Sequence, residues 1–217
     1  MSHRCSTPYR CATAPLVPLA VLRSRALTGA NLVMVCLGAV TFSMWFLLTL
    51  HLQEVLGWSA LETGLAFVPM SVTIVASTRL GTRLSTHLGA GRVVAAGMAM
   101  LGVGLLLLAR VDAGSSWARD LLGPSLLCAG GIGCSFVPAT IAATSGVAGE
   151  DSGLAAGLLN TAYQVGSSLG LALLATIAVG HAEGFRHALF AGVGLSVAGS
   201  AVAMAVLARP RFATSSG

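Results

Sequence analysis

Two side-chain amides, Asn160 and Gln164, stand four residues apart inside an uncharged stretch, residues 153–172 (GLAAGLLNTAYQVGSSLGLA), long enough to cross a bilayer. An amide in hydrocarbon is costly unless it is hydrogen-bonded or faces water, so such residues mark a cavity or a helix contact. At about 100° per residue, Gly153, Gly157, Asn160, Gln164 and the Ser167/Ser168 pair share one stripe, with Gly166 and Gly170 roughly opposite. The polar stripe has the character of a cavity lining. Gly166 and Gly170 form a GxxxG-like notch, and Gly153, Gly157, Gly166 and Gly170 are all expected as close-packing positions. A second stripe carries Asn31, Gly38, Phe42, Trp45 and Thr49, with Gln53 continuing it. Aromatic surface with a few uncharged donors suits a bulky, partly apolar ligand. Packing of Phe42 and Trp45 against neighbouring helices, and anchoring of the helix end by Asn31, are the competing readings. The candidate cavity residues are therefore Asn31, Phe42, Trp45, Thr49, Asn160, Gln164 and Ser167.

Catalytic and metal-binding patterns are missing. The histidines (His3, His51, His87, His181, His187) fall at termini or in connections, and no HExxH, GxSxG or phosphate-cradling GKS/T run occurs. Cys5 and Cys11 lie near the start and Cys36, Cys128 and Cys134 inside apolar runs; none makes a CxxC pair, so no metal and no cofactor is expected. The acidic residues Glu54, Glu62, Asp112, Asp120, Glu150, Asp151 and Glu183 all map to span ends or connections. No carboxylate sits at mid-membrane depth, where proton relays place one. An enzyme is not expected.

The elements that must position these residues are membrane helices. The chain is 55% hydrophobic and only 9% charged, with a mean hydropathy of +0.86, which excludes an ordinary soluble domain. Six apolar runs of membrane length are read at approximately 29–52, 62–82, 91–111, 119–143, 153–179 and 186–208. They form one all-α membrane domain over 15–208, between a polar segment 1–14 and a tail 209–217. The net charge of +5 comes from arginine alone and makes no patch with interleaved aromatics, so no nucleic-acid partner is expected. Arg4, Arg10, Arg23 and Arg25, then Arg79, Arg83 and Arg92, then Arg209 and Arg211 fall on one side, which places both termini in the cytoplasm. In the fourth run, Pro124 and Pro138 flank Gly130-Gly131-Ile132-Gly133, a pattern expected to interrupt or bend the helix.

Four stretches in this order carry a resemblance: PLVPLAVLRSRALTGANLV, FLLTLHLQEVLGWSALETGLAFVPMS, LCAGGIGCSFVPATIAATSGV and SGLAAGLLNTAYQVGSSLGLALLATIA. The run from Pro15 to Leu207 resembles the C-terminal six spans of a fourteen-span drug:proton antiporter of the major facilitator superfamily, the EmrB/QacA type. The resemblance implies export of a small hydrophobic or cationic substrate across the plasma membrane, in exchange for protons, through a cavity between two six-span halves. The turn TRLSTHLGAGR occupies the place of the family's GxLaDRxGrR gating motif: Thr82 stands for the glycine and Thr86 for the acid, while Leu84, Gly89 and Arg92 remain. The absent coupling residues and opposing half imply a truncated half that does not transport alone. A homodimerising half-size transporter and a non-transporting membrane interaction module are the alternatives, with the bilayer and a complementary half or second copy as partners.

Overall fold

The structure is a computed structural model that describes residues 25–111, 116–144, 152–179 and 184–207. The segment 1–14, Arg23, the tail 209–217 and the connections holding Asp112, Glu150, Asp151, His181 and Glu183 lie outside the described residues. Six helices are long and apolar enough to cross a membrane: Arg25–Val55, Ala60–Leu88, Ala90–Leu108, Trp117–Thr144, Ser152–Ala178 and Gly184–Leu207, here spans one to six. Among the described residues there is no strand.

Local chemistry sets the ends. Span one runs beyond its apolar stretch because its last turn continues as a wider π turn, His51–Val55. Span two starts on a capping box: the Ser59 hydroxyl accepts from the Glu62 backbone N–H at 3.3 Å, and the Glu62 carboxylate accepts from the Ser59 N–H at 2.8 Å. It is jointed at Phe67, between Ala60–Ala66 and Val68–Leu88, because Pro69 has no N–H to carry the helical ladder across the joint. Gly89 alone separates spans two and three, at φ +86° and ψ 138°, a conformation that side chains rarely adopt. Span four does not break: Leu122–Thr144 is one helix with Pro138 inside it.

The glycines expected to interrupt span four make interhelical contacts. A Cβ on Gly131 would meet the Leu101 backbone at 2.7 Å, and one on Gly133 would meet the Ile74 carbonyl at 2.6 Å. Span four therefore lies backbone to backbone with span three on one side and span two on the other. Spans one and five are joined similarly, Gly166 against the Val35 backbone and Gly170 against Ala39. These three pairs are the most extensive helix contacts in the molecule. Without a hydrophobic driving force in lipid, such close approach is what holds helices together.

Burial is uneven. In span one 61% of the most apolar window is buried, against 22% in spans two and five. Leu27, Met34, Leu37, Met44 and Leu47 of span one and Met98, Leu101 and Leu105 of span three make the core. Leu61, Leu65, Val72 and Val75 of span two, and Val165, Leu169 and Leu173 of span five, are exposed.

Candidate substrate cavity

A cavity of about 490 Å³ opens between spans one, two, four and five. That is within the roughly 300–1,000 Å³ range of small-molecule sites. Span one contributes Thr41, Phe42 and Trp45, and span two contributes Ile74 and Thr78. Span four contributes Ile132, Gly133, Phe136 and Val137, and span five contributes Tyr163. Gly133 is part of the lining for the reason it packs: without a side chain, the helices approach and leave the space to the aromatic rings.

Those rings are arranged edge to face. Tyr163 meets Phe136 at 5.1 Å between centroids with planes 88° apart, and Phe42 at 6.1 Å and 69°. Trp45 meets Phe67 at 4.7 Å and 76°, which props its indole at the cavity edge. Such pairs contribute about 0.5–1.5 kcal/mol beyond area burial and orient the faces they leave free. Polar groups are sparse. Thr41 Oγ1 is buried without a well-formed hydrogen bond, and the Tyr163 hydroxyl is the side-chain group beside it. Among the described residues, no carboxylate, guanidinium or imidazole lines the space. The site can hold an aromatic body and offer it one or two hydroxyls.

Of the residues singled out in the sequence, Phe42 and Trp45 line this cavity. Ser167 does not. It is 5% exposed, donates to the Tyr163 carbonyl at 2.7 Å and lies against Gly38, so it belongs to the contact between spans one and five. Asn31 and Thr49 also lie outside the lining. Asn31 Nδ2 donates to the Leu27 carbonyl at 2.9 Å and Thr49 Oγ1 to the Trp45 carbonyl at 2.8 Å, each one turn back on its own helix. Asn160 and Gln164 are exposed on span five and do not line the described cavity. Their stripe is turned by roughly 60–100° from Tyr163, toward the side that no described helix covers.

Gly153 and Gly157 correct the packing expectation. Both are exposed, and a Cβ at either would meet nothing within 4 Å. The Gly166 and Gly170 face of span five is the one set against span one, and among the described residues nothing packs on the side that carries Gly153 and Gly157. At the turn between spans two and three, Thr82 Oγ1 donates to the Thr78 carbonyl and Thr86 Oγ1 to the Arg83 carbonyl. Both hydroxyls are thus used within their own helix, while Gly89 makes the turn and Arg92 is exposed. His51 is likewise corrected: it is 6% exposed in the π turn, stacked near Phe185 at 5.2 Å, rather than in a connection.

Tyr163, Phe136, Ile74 and Thr78 were missed. Tyr163 had a signal, since it is one of two tyrosines in the chain and sits between the two amides. The others had none, because contacts between spans one, two and four are not written in any local pattern.

Six membrane-length helices packed through glycine around an aromatic cavity define a polytopic membrane domain. Comparison with known proteins specifies the class. Residues 12–216 match the Major Facilitator Superfamily, and the chain belongs to that family. It is 36% identical over 200 residues to the cephamycin export protein CmcT of Amycolatopsis lactamdurans, covering 92% of this chain and 41% of that protein. It is 34% identical over 169 residues to the puromycin resistance protein pur8 of Streptomyces alboniger, covering 76% of this chain and 34% of that protein. The multidrug resistance protein Stp of Mycobacterium tuberculosis is 30% identical over 168 residues, covering 77% of this chain and 31% of that protein. The chain thus spans about two-fifths or less of the length of these curated relatives.

Proposed function

We propose that this chain forms one wall of the substrate path of a drug or antibiotic exporter, acting as the C-terminal six-span half of a drug:proton antiporter of the EmrB/QacA type. The observation that carries the reading is the cavity between spans one, two, four and five, whose lining among the described residues holds the aromatic Phe42, Trp45, Phe136 and Tyr163 and no ionised group. Relatives named for cephamycin export and for puromycin and multidrug resistance support a bulky, partly apolar organic substrate. The exposed faces of spans two and five, bearing Asn160 and Gln164, would meet a complementary six-span unit, and the two amides would face the space between the units. Glu54, Glu62 and Asp120, the described carboxylates, lie at helix ends. Proton coupling would therefore reside in that other unit. The arginine distribution supports a plasma-membrane orientation with both termini cytoplasmic.

The test has two parts. Trp45 emission of the purified chain carrying Trp58→Phe and Trp117→Phe, in lipid nanodiscs, is titrated with an uncharged aromatic amine, N-phenylnaphthylamine, and saturable quenching lost on adding Phe136→Ala is expected. Proteoliposomes holding the same chain and loaded with tetraphenylphosphonium are then given a pH gradient, and no gradient-driven efflux is expected. Efflux by the chain alone would overturn the assignment of coupling to another unit, and unsaturable quenching would overturn the cavity.

A further inference from the structure

At the end of the bundle where spans one and two, and spans three and four, are connected, Trp58 of the first connection and Trp117, the first residue of span four, come to within 5.8 Å between ring centroids, their planes 47° apart. Both rings line one cleft of about 300 Å³ together with Glu62, Leu65 and Ala66. A tryptophan at a membrane interface is ordinary by itself. Two of them lining one cleft with a carboxylate are a different object, because two electron-rich rings and an anionic side chain border the same small space.

The carboxylate is held in place. Glu62 Oε2 accepts from both the Ser59 N–H and the Ser59 hydroxyl, each at 2.8 Å, as part of the capping box. No described hydrogen bond engages Oε1, and Glu62 is part of the cleft lining. The Trp58 backbone N–H donates to the Leu52 carbonyl at 3.0 Å, tying the backbone that carries this indole to the end of span one. Leu65, 62% exposed on span two, adds apolar surface to the same cleft.

We infer that the Trp58–Trp117–Glu62 cleft is a binding site for an organic ammonium group, separate from the cavity between spans one, two, four and five. A quaternary or primary ammonium in the cleft lies within about 6 Å of both ring centroids, where the ring quadrupoles attract it, and Glu62 supplies the counter-charge. Either a soluble amine or an ammonium-bearing lipid headgroup presents this chemistry, the latter with Leu65 beside its chains.

The experiment uses the full chain carrying Trp45→Phe, so that emission comes only from Trp58 and Trp117, in nanodiscs of phosphatidylglycerol. Choline is titrated against dimethylbutanol, its uncharged carbon isostere. Saturable quenching by choline, at least tenfold weaker for the isostere, is expected. Glu62→Gln keeps an acceptor for the capping box while removing the charge, so the helix start survives. It is expected to weaken choline binding about tenfold with an unchanged melting temperature. Adding phosphatidylethanolamine to the nanodiscs separates the sources: competition with choline identifies a lipid headgroup, and indifference identifies a soluble amine. Equal quenching by choline and its isostere, or full choline binding by Glu62→Gln, overturns the proposal.

Discussion

Gly166→Ala puts the helix-packing account to its strictest test. A Cβ at Gly166 would collide with the carbonyl, Cα and C atoms of Val35, all backbone, so no rotamer change on span one relieves it. Overpacking by one methyl costs about 1–3 kcal/mol, and a backbone neighbour puts this site at the upper end of that range. Alanine returns up to about 1 kcal/mol through helix propensity. The net expectation is a loss of about 2 kcal/mol, with spans one and five forced apart. Gly157→Ala is the internal control, because the same methyl meets nothing within 4 Å and only the propensity term remains. Unfolding titrations with a denaturing detergent in bicelles, followed by far-UV circular dichroism, measure both. The reasoning is refuted if the two variants have equal stability. It is refuted equally if Val35→Ala restores Gly166→Ala, since the collision would then involve the Val35 side chain.

Gly89→Ala is expected to lower stability by about 1–3 kcal/mol, since φ +86° with ψ 138° strains any side chain; detergent unfolding checks it, and a neutral result would mean the turn readily adopts another path. Asn160→Ala and Gln164→Ala are expected to leave stability within about 0.5 kcal/mol, because both side chains are exposed, yet to reduce efflux when a complementary unit is present. A stability loss in the isolated chain would show instead that the amides bond within this bundle. Tyr163→Ala is expected to weaken N-phenylnaphthylamine binding by about 3–10-fold, from the loss of its ring contacts with Phe42 and Phe136. Tyr163→Phe, which keeps the ring, is expected to stay within about twofold of the parent in the same Trp45 quenching assay.

What the amino-acid order determined by itself was the solvent and the helices. Runs of apolar residues above the length of a bilayer have one structural outcome, because backbone amides in hydrocarbon must bond within their own segment. The Gly166/Gly170 notch is a local pattern of the same kind, readable at a spacing of four. What only the tertiary structure decided is which faces meet. Ser167 and Gln164 lie near each other on the same helix, yet one is buried against Gly38 and the other is exposed. Gly153 repeats the spacing of a packing motif and packs against nothing, while Gly131 and Gly133, expected to flex span four, bring it against two neighbours. Tyr163 enters the cavity because the contact between spans one and five turns that edge of the helix toward span four, away from the amide stripe. A helix's own sequence specifies its stripes; the rotation that assigns each stripe to lipid, neighbour or cavity is set by backbone approach to other helices, a non-local quantity.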